Sequence, residues 1–199
     1  GEEKFQRVMG KNLFDFLWDD SLGAGLQMAL FDAAGKALGV PCHKLMGVQH
    51  REWCPVSWWS QDRTPEEWVS EAKAAVAMGF TTMKVKARPW FDPLVQMEAV
   101  SKEVSPHFKL DMDFNGLLLG EDLAAPLIRR LETKYSQLAI VETPIPQQDV
   151  AGNATLRRKI QSPIAMHFGN PPIMTAIREG VCDGFVIGGG ATRVMKHGT

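Results

Sequence analysis

Apolar residues are distributed along this chain in two patterns that alternate. Short apolar runs predict six strands, at residues 56–59, 80–86, 109–115, 138–142, 164–167 and 184–187. The second to the fifth of these runs end in polar residues. Between them, apolar residues recur at three- and four-residue steps and predict helices at 64–78, 93–104, 123–134, 151–159 and 173–179. Strands that alternate with helices at this pitch form a parallel sheet with crossover helices, so an α/β fold is predicted.

Capping residues predict where the first helices begin and end. The apolar steps between residues 21 and 38 predict a helix with Ser21 as its N-cap, and Gly39 is the expected stop. Thr64, followed three residues later by Glu67, predicts a capping box for the helix that starts at residue 65. Residues 1–20 carry no clear pattern, and within them residues 11–18 fit either a short amphipathic helix or a loop.

Two architectures accommodate six parallel strands. A β/α barrel is favoured because polar residues end the strands, and the active sites of such barrels lie at that rim. A doubly wound open sheet competes, but no G-x-G-x-x-G motif follows the first strand. Since a closed barrel needs eight strands, we expect a partial (β/α)8 TIM-type barrel of about six β-α units, from a fragment or a trimmed chain.

Charged and polar residues at the strand ends are the candidate chemistry. Lys84 and Lys86 are two residues apart, so their side chains point to one face, and burial beside a like charge suits a lysine to act as a general base. Asp113 and Asn115 have the same spacing, and Glu142 ends the next strand. Carboxylates gathered at one rim suit Mg²⁺ with open positions for water and substrate.

Each of these groups also has a structural interpretation. The lysines could lie on a solvated edge, and Asp113 or Glu142 could cap a helix or pair with a lysine. Asp111, deeper on the same strand, could pair with Lys84 and is predicted to be structural. His167, at the end of the fifth strand, is open to three roles: a metal ligand that suits Zn, Mn or Fe, a base or hydrogen-bond donor to substrate, or no catalytic part. Trp59 could line a substrate wall or simply be exposed beside a packed neighbour.

Composition narrows the choice of partners and compartment. The formal net charge of -1 gives no electrostatic case for nucleic acid or an anionic membrane. No apolar run approaches the roughly 20 residues that span a bilayer. The three cysteines include no close pair, which favours a reducing, cytoplasmic compartment. Because a partial barrel exposes apolar edges, we expect the chain to form a homo-oligomer.

Four segments together resemble the enolase superfamily, in particular its mandelate racemase and muconate lactonizing enzyme branch. They are residues 25–41, which end in G-K-x-x-G-x-P, and the motifs K-x-K at Lys84, D-x-N at Asp113 and E-x-P at Glu142. The resemblance implies that residues 1–46 are the C-terminal helical part of a capping domain. It implies that residues 47–199 form the partial barrel.

The resemblance also assigns roles. Asp113 and Glu142 are implied to be ligands of Mg²⁺, Lys86 the base that takes the α-proton of a carboxylate substrate, and Lys84 its electrostatic partner. Asn115 and Trp59 are expected to contact substrate. The implied enzyme is a lyase or isomerase that racemises, dehydrates or cycloisomerises a small carboxylate or sugar acid.

Two departures from the family pattern modify this expectation. His167 stands where the family usually has a third acidic ligand, so Mn²⁺ or another divalent metal is kept beside Mg²⁺. The sixth strand, at 185–187, carries no lysine to face Lys86, which favours acid-sugar dehydration. Asp183 is placed at the start of that strand, far from the rim. The alternative is a non-catalytic, truncated barrel scaffold that has lost a complete metal site.

Overall fold

A computed structural model describes residues 1–197 of the chain. The strands are β1 (Trp58–Trp59), β2 (Thr82–Lys86), β3 (Lys109–Asp113), β4 (Leu138–Glu142), β5 (Ile164–His167) and β6 (Gly184–Val186). The α-helices are α1 (Glu2–Val8), α2 (Ala24–Leu38), α3 (Pro65–Ala77), α4 (Pro93–Glu103), α5 (Glu121–Lys134), α6 (Val150–Lys159), α7 (Ile173–Glu179) and α8 (Ala191–His197). Single 3-10 turns cover Leu13–Phe16, Asp20–Leu22 and Cys42–Leu45.

The six strands form one sheet in which every neighbouring pair is parallel and the strand order follows the chain, from β1 to β6. Each strand is joined to the next by a helix. A doubly wound sheet would reverse its strand order at a switch point, and this sheet does not. The α/β fold and the partial β/α barrel predicted from the sequence are therefore confirmed.

The chain divides into two compact units. Pro55–Val186 contains the sheet and helices α3 to α7, and is called the barrel unit below. Gly1–Cys54 joins with the segment from Ile187 onward, so α1, α2 and α8 belong together. The domain boundary at residues 46 and 47 stays a prediction, and the last two residues of its second domain, 198 and 199, lie outside the described residues.

Side-chain alternation in the strands builds the core of the barrel unit and leaves the opposite face for chemistry. Met83 and Val85 in β2 are fully buried on the face that the helices cover. In β3, Leu110 and Met112 are likewise fully buried on that face. Trp68 of α3 is among the helix residues buried in this cluster. The residues between them point to the other side of the sheet, which we call the inner face.

The unit that contains both chain ends has a smaller core of its own, centred on Leu22, Leu30, Phe31 and Ala34. Asp20 caps α8 within this unit. Its carboxylate accepts the backbone N–H groups of residues 192 and 193, each at 3.0 Å. Negative charge at a helix N-terminus is favourable because the first N–H groups have no partner inside the helix.

Most predicted boundaries differ from the observed ones by a few residues, and one cap is wrong. Ser21 does not cap α2; it lies in a 3-10 turn, where its hydroxyl donates to Asp19 Oδ1 at 2.6 Å. Gly23, with φ of 86°, precedes the helix instead. The Thr64 capping box is confirmed, because the Thr64 hydroxyl and the Glu67 carboxylate each accept the other residue's N–H.

Residues 11–18 contain a 3-10 turn at Leu13–Phe16 and no α-helix, so the predicted amphipathic helix does not form there. The helix α1 lies before this stretch. The first strand is shorter than predicted, with two residues rather than four. Along residues 1–197, no helix is both long enough and apolar enough to cross a membrane.

Candidate active site

The carboxyl ends of β2, β3 and β4 bring the predicted charged residues together on the inner face. In the register of the sheet, Lys86 lies beside Asp113, and Asp113 lies beside Glu142. Lys84 is two residues before Lys86, and Asn115 is two residues beyond Asp113. Because the strands are parallel, these ends meet at one rim, so the structure confirms the proximity that the alternation predicts.

Lys86 is held at this rim by two acceptors from β3 and the loop after it. Its Nζ donates to Asp113 Oδ2, and a longer bond of 3.3 Å reaches Asn115 Oδ1. Asp113 is fully buried, whereas 22% of the Lys86 side chain is exposed. The Asn115 backbone has a left-handed φ of 47°, and its N–H donates to Asp113 Oδ1 at 2.9 Å. The ammonium group is therefore oriented and still accessible.

Lys84 pairs with the neighbouring carboxylate. Its Nζ donates to Glu142 Oε2 and lies 3.7 Å from Asp113 Oδ2. Glu142 is only 4% exposed, and its Oε1 is buried with no hydrogen-bond partner among the described residues. A buried carboxylate oxygen without a donor is costly, so this atom is well suited to bind a cation.

Two carboxyl groups on β3 have pKa values displaced in opposite directions. Burial raises the pKa of Asp111, and the attraction of Lys84 only partly offsets that effect. Burial also acts to raise the pKa of Asp113, but hydrogen bonds from Lys86 and from the Asn115 N–H outweigh it and hold that pKa below its ordinary value. Asp113 is therefore the carboxylate that the site keeps ionised.

Asp111 does not form the hydrogen-bonded pair with Lys84 that its position suggests. Asp111 lies beside Lys84 in the register, but the Lys84 ammonium donates its hydrogen bond to Glu142. Lys84 still acts on Asp111 through its charge.

His167 lies next to Glu142 at the end of β5. Its side chain is half exposed, and Nε2 lies 3.4 Å from Glu142 Oε1 without hydrogen-bond geometry. The backbone N–H of His167 donates to Gln147 Oε1 at 2.6 Å. Within residues 1–197, no three His, Cys, Asp or Glu side chains are grouped to hold a metal. The role of His167 as a third ligand or as a catalytic group stays a prediction.

Asp113 and Glu142 nevertheless fit a Mg²⁺ ion. Mg²⁺ in enzymes is commonly bound by one or two carboxylates, with water and substrate in the other positions. The fully buried Asp113 and the unpartnered Oε1 of Glu142 supply such ligands. A divalent ion here would share both carboxylates with the ammonium groups of Lys84 and Lys86.

The two tryptophans of β1 point to different surroundings, as strand alternation requires. Trp58 packs edge to face on Phe80, with ring centroids 5.4 Å apart, and its indole N–H donates to Glu71 at 3.2 Å. Trp59 lies beside Lys84 in the register and is 56% exposed. Trp59 is thus available at the inner face, and its contact with substrate stays a prediction.

Asp183 is a structural residue at the other end of the sheet. It directly precedes β6, and its carboxylate accepts the N–H of Ile164 at 2.9 Å and two bonds from Arg157. These bonds join the starts of β5 and β6. Asp183 therefore lies far from the rim, as the sequence predicts.

Arg88 is a polar residue of this rim that the motif analysis missed. Its Nη2 donates to Asn115 Oδ1 at 2.5 Å, and Nη1 lies 3.5 Å from the Asp113 carbonyl oxygen. The signal was present in the sequence, because Arg88 continues the two-residue spacing of Lys84 and Lys86. It was overlooked because the residue lies beyond the end of β2.

Residues 67–185 match the sequence model of the family described as "Enolase C-terminal domain-like". A D-galactonate dehydratase from Variovorax paradoxus is 32% identical over 119 residues, which cover 55% of this chain and 31% of the dehydratase. Other curated relatives include an L-Ala-D/L-Glu epimerase, an N-succinyl-L-Arg/Lys racemase and a chloromuconate cycloisomerase. The chain spans less than half the length of these relatives.

Solved structures of proteins from the same branch are also similar to this chain. A mandelate racemase/muconate lactonizing family protein from Azoarcus sp. EbN1 has 31% identity and a TM-score of 0.67, and the match covers 82% of this chain and 44% of that protein. A dipeptide epimerase from Enterococcus faecalis V583, complexed with Mg and the dipeptide L-Leu-L-Tyr, has 20% identity and a TM-score of 0.70. That match covers 85% of this chain and 48% of the epimerase, and it shows the fold alone.

Proposed function

This chain belongs to the enolase C-terminal domain-like family, in the mandelate racemase and muconate lactonizing enzyme branch, and we propose that it carries a site for metal-assisted removal of an α-proton from a carboxylate substrate. The observation that carries the proposal is the arrangement at the inner face. Two lysines and two buried carboxylates meet at one rim of parallel strands. Relatives that racemise, epimerise and dehydrate small acids support the same reaction type.

Lys86 is the base in this proposal. Its Nζ lies at the end of β2 and remains partly exposed, so a substrate at the rim reaches it. In its neutral form, Nζ accepts the α-proton. Asp113 and Asn115 hold the side chain in place through hydrogen bonds from the same nitrogen. A base held in one orientation loses little entropy when substrate binds, which lowers the barrier to proton transfer.

Lys84 supplies the electrostatic part. Its ammonium group is fixed by Glu142 and lies within 4 Å of Asp113. Positive charge on Lys84 stabilises the negative charge that develops on the substrate carboxylate as the α-proton leaves. The proposed cofactor is Mg²⁺, with Mn²⁺ as the alternative, bound by Asp113 and Glu142 and with His167 as the proposed third ligand. Such an ion would act as a Lewis acid toward the carboxylate.

Dehydration of an acid sugar is the proposed subclass, with racemisation as the second choice. The described part of β6 is Gly184–Val186 and carries no lysine that would face Lys86 across the site. A racemase needs a second base on the opposite face of the α-carbon, whereas a dehydratase needs an acid for the departing hydroxyl. The identity to a D-galactonate dehydratase supports this choice.

Exchange of the substrate α-proton with solvent deuterium tests the proposal. We expect wild-type protein with Mg²⁺ to exchange the α-proton of a sugar acid such as galactonate, followed by nuclear magnetic resonance. Lys86→Ala should abolish exchange and retain the circular dichroism spectrum. Lys102→Ala is the matched control, because that lysine lies on α4 with 67% of its side chain exposed and pairs only with Glu98 among the described residues. Equal exchange in wild type and Lys86→Ala would overturn the proposal.

A non-catalytic barrel scaffold is the second candidate function. It is favoured by the ion pairs, because each carboxylate of the rim is already neutralised by a lysine. A scaffold of this kind would bind no divalent ion at Asp113 and Glu142 and would exchange no α-proton, whereas the enzyme would do both.

A further inference from the structure

We propose that Arg88 binds an anionic group at the far end of the substrate, so that the site selects acids that carry a second carboxylate. The inference rests on the function proposed above, because it describes another part of the same substrate. Three features carry it: the position of Arg88 on the inner face, the neutral character of its partners, and its closeness to the proposed base.

Arg88 continues the row of inner-face side chains beyond the end of β2. The N–H of Ala87 donates to the Asp113 carbonyl at 2.9 Å, so the pairing with β3 extends one residue past Lys86. Ala87 is 1% exposed on the covered face, which places Arg88 on the same face as Lys84 and Lys86. Alternate residues of a strand lie about 7 Å apart along it. Three cations therefore follow one another along a line.

Unlike the two lysines, Arg88 has no anionic hydrogen-bond partner within residues 1–197. Lys84 and Lys86 each donate to a buried carboxylate. The acceptors found for the Arg88 guanidinium in the described chain are neutral, namely the Asn115 side-chain oxygen and the backbone carbonyls of Ala87 and Asp113. An arginine that is half-buried and neutralised by no carboxylate is suited to bind one from a ligand.

Asn115 brings Arg88 close to the proposed base. Its Oδ1 accepts from Lys86 Nζ at 3.3 Å and from Arg88 Nη2 at 2.5 Å. The two cationic nitrogens are therefore no farther apart than the sum of these distances. Like charges at such a separation repel, and an anion placed beside the guanidinium relieves that repulsion. With the reacting carboxylate at Lys84 and the α-carbon at Lys86, the opposite end of the substrate falls at Arg88.

The test compares the binding of two sugar acids of equal length in Mg²⁺ buffer by calorimetry. Galactarate carries a carboxylate at each end, and galactonate carries one. We expect wild-type protein to bind galactarate at least about tenfold more tightly, as a charge-assisted arginine–carboxylate bond implies. Arg88→Met should remove this preference and leave the affinity for galactonate within about twofold. Arg88→Lys should keep part of the preference, because lysine retains the charge but loses the planar fork.

Arg130→Met is the matched control, since Arg130 lies exposed on α5 and its loss removes the same charge. The control should keep the full preference for galactarate. Equal affinity of the wild type for both acids, no binding of either, or an unchanged preference in folded Arg88→Met would each overturn the assignment. So would an equal loss of affinity for both acids in Arg88→Met, because that result indicates a residue that only positions Asn115 and Lys86.

The binding assay needs no turnover, so the two proposals fail separately. Lys86-dependent α-proton exchange together with equal binding of the two acids would retain the reaction and overturn the role of Arg88. Arg88-dependent selectivity without exchange would retain the anion site and overturn the reaction.

Discussion

Replacing Asp113 with asparagine should destabilise the fold at neutral pH. The amide keeps the shape of the side chain and the acceptor for the Asn115 N–H, but it removes the charge that faces Lys86. Asp113 is fully buried, so water cannot replace the lost partner on that side. Charged hydrogen bonds contribute about 1.5–3 kcal/mol, and the partial exposure of Lys86 screens some of this. We expect a loss of about 2 kcal/mol in the free energy of unfolding.

The cost should depend on pH in a defined direction. The pKa of Asp113 lies below its ordinary value in the folded protein, since bonds from Lys86 and Asn115 outweigh the effect of burial. Ionised Asp113 therefore contributes stability that is fully present above the unfolded pKa and is lost as the pH falls through the folded one. The penalty of Asp113→Asn should be constant from pH 7 to about pH 4 and shrink below it.

Asp111→Asn is the matched control, two residues away on the same strand. Burial raises the pKa of Asp111, so its negative charge is unfavourable in the folded protein at neutral pH. The neutral amide should leave stability unchanged or raise it at pH 7. Urea unfolding of the three proteins at pH 7, 5 and 3 measures these effects. Equal stability of wild type and Asp113→Asn at pH 7, or a penalty of the same size at pH 3, would refute the reasoning.

Two further substitutions test contacts at the amino ends of the strands and in the unit that contains the chain ends. Glu132→Ala removes a carboxylate that accepts hydrogen bonds from the N–H of Gln161, at 2.9 Å, and from the N–H and hydroxyl of Ser162. We expect the free energy of unfolding in urea to fall by about 2 kcal/mol. A loss below about 0.5 kcal/mol would contradict this. Gly190→Ala would place a Cβ 2.3 Å from Asp20 Oδ1, so the thermal midpoint should fall by the equivalent of about 1–3 kcal/mol; an unchanged midpoint would show that the contact relaxes freely.

The composition of the rim could be predicted from the sequence because it depends on two simple regularities. Residues two apart on a strand share a face, and parallel strands end at the same edge. These regularities suffice to bring Lys84, Lys86, Asp113, Asn115 and Glu142 together, as the structure confirms.

Pairing of Asp113 or Glu142 with a lysine was one of the alternatives that the sequence left open, but which lysine each carboxylate takes could not be predicted. Lys84 donates to Glu142, on β4, rather than to its register neighbour Asp111 on β3. That choice depends on the conformation of the lysine side chain and on the twist between strands, and neither can be read from a single sequence. The contact of Arg88 with Asn115 was missed for a related reason, because both residues lie in loops just beyond their strands.

Local caps were predictable only where a complete motif was present. Thr64 has its reciprocal partner Glu67, and that capping box is confirmed. Ser21 had no such partner, and its hydroxyl bonds to Asp19 instead of to the helix. A serine near an apolar periodic segment thus has competing local acceptors, and tertiary packing decides among them.

Calorimetric titration of the folded chain with Mg²⁺, and then with Mn²⁺, tests the central claim most directly. We predict one-to-one binding that Asp113→Ala abolishes and that Asp111→Asn retains, because Asp113 lies beside Glu142, whose Oε1 is unpartnered among the described residues, and its pKa is lowered, whereas burial raises the pKa of Asp111. No heat of binding with either ion would contradict the account, as would binding that survives the loss of Asp113, and the non-catalytic scaffold would then be the better description.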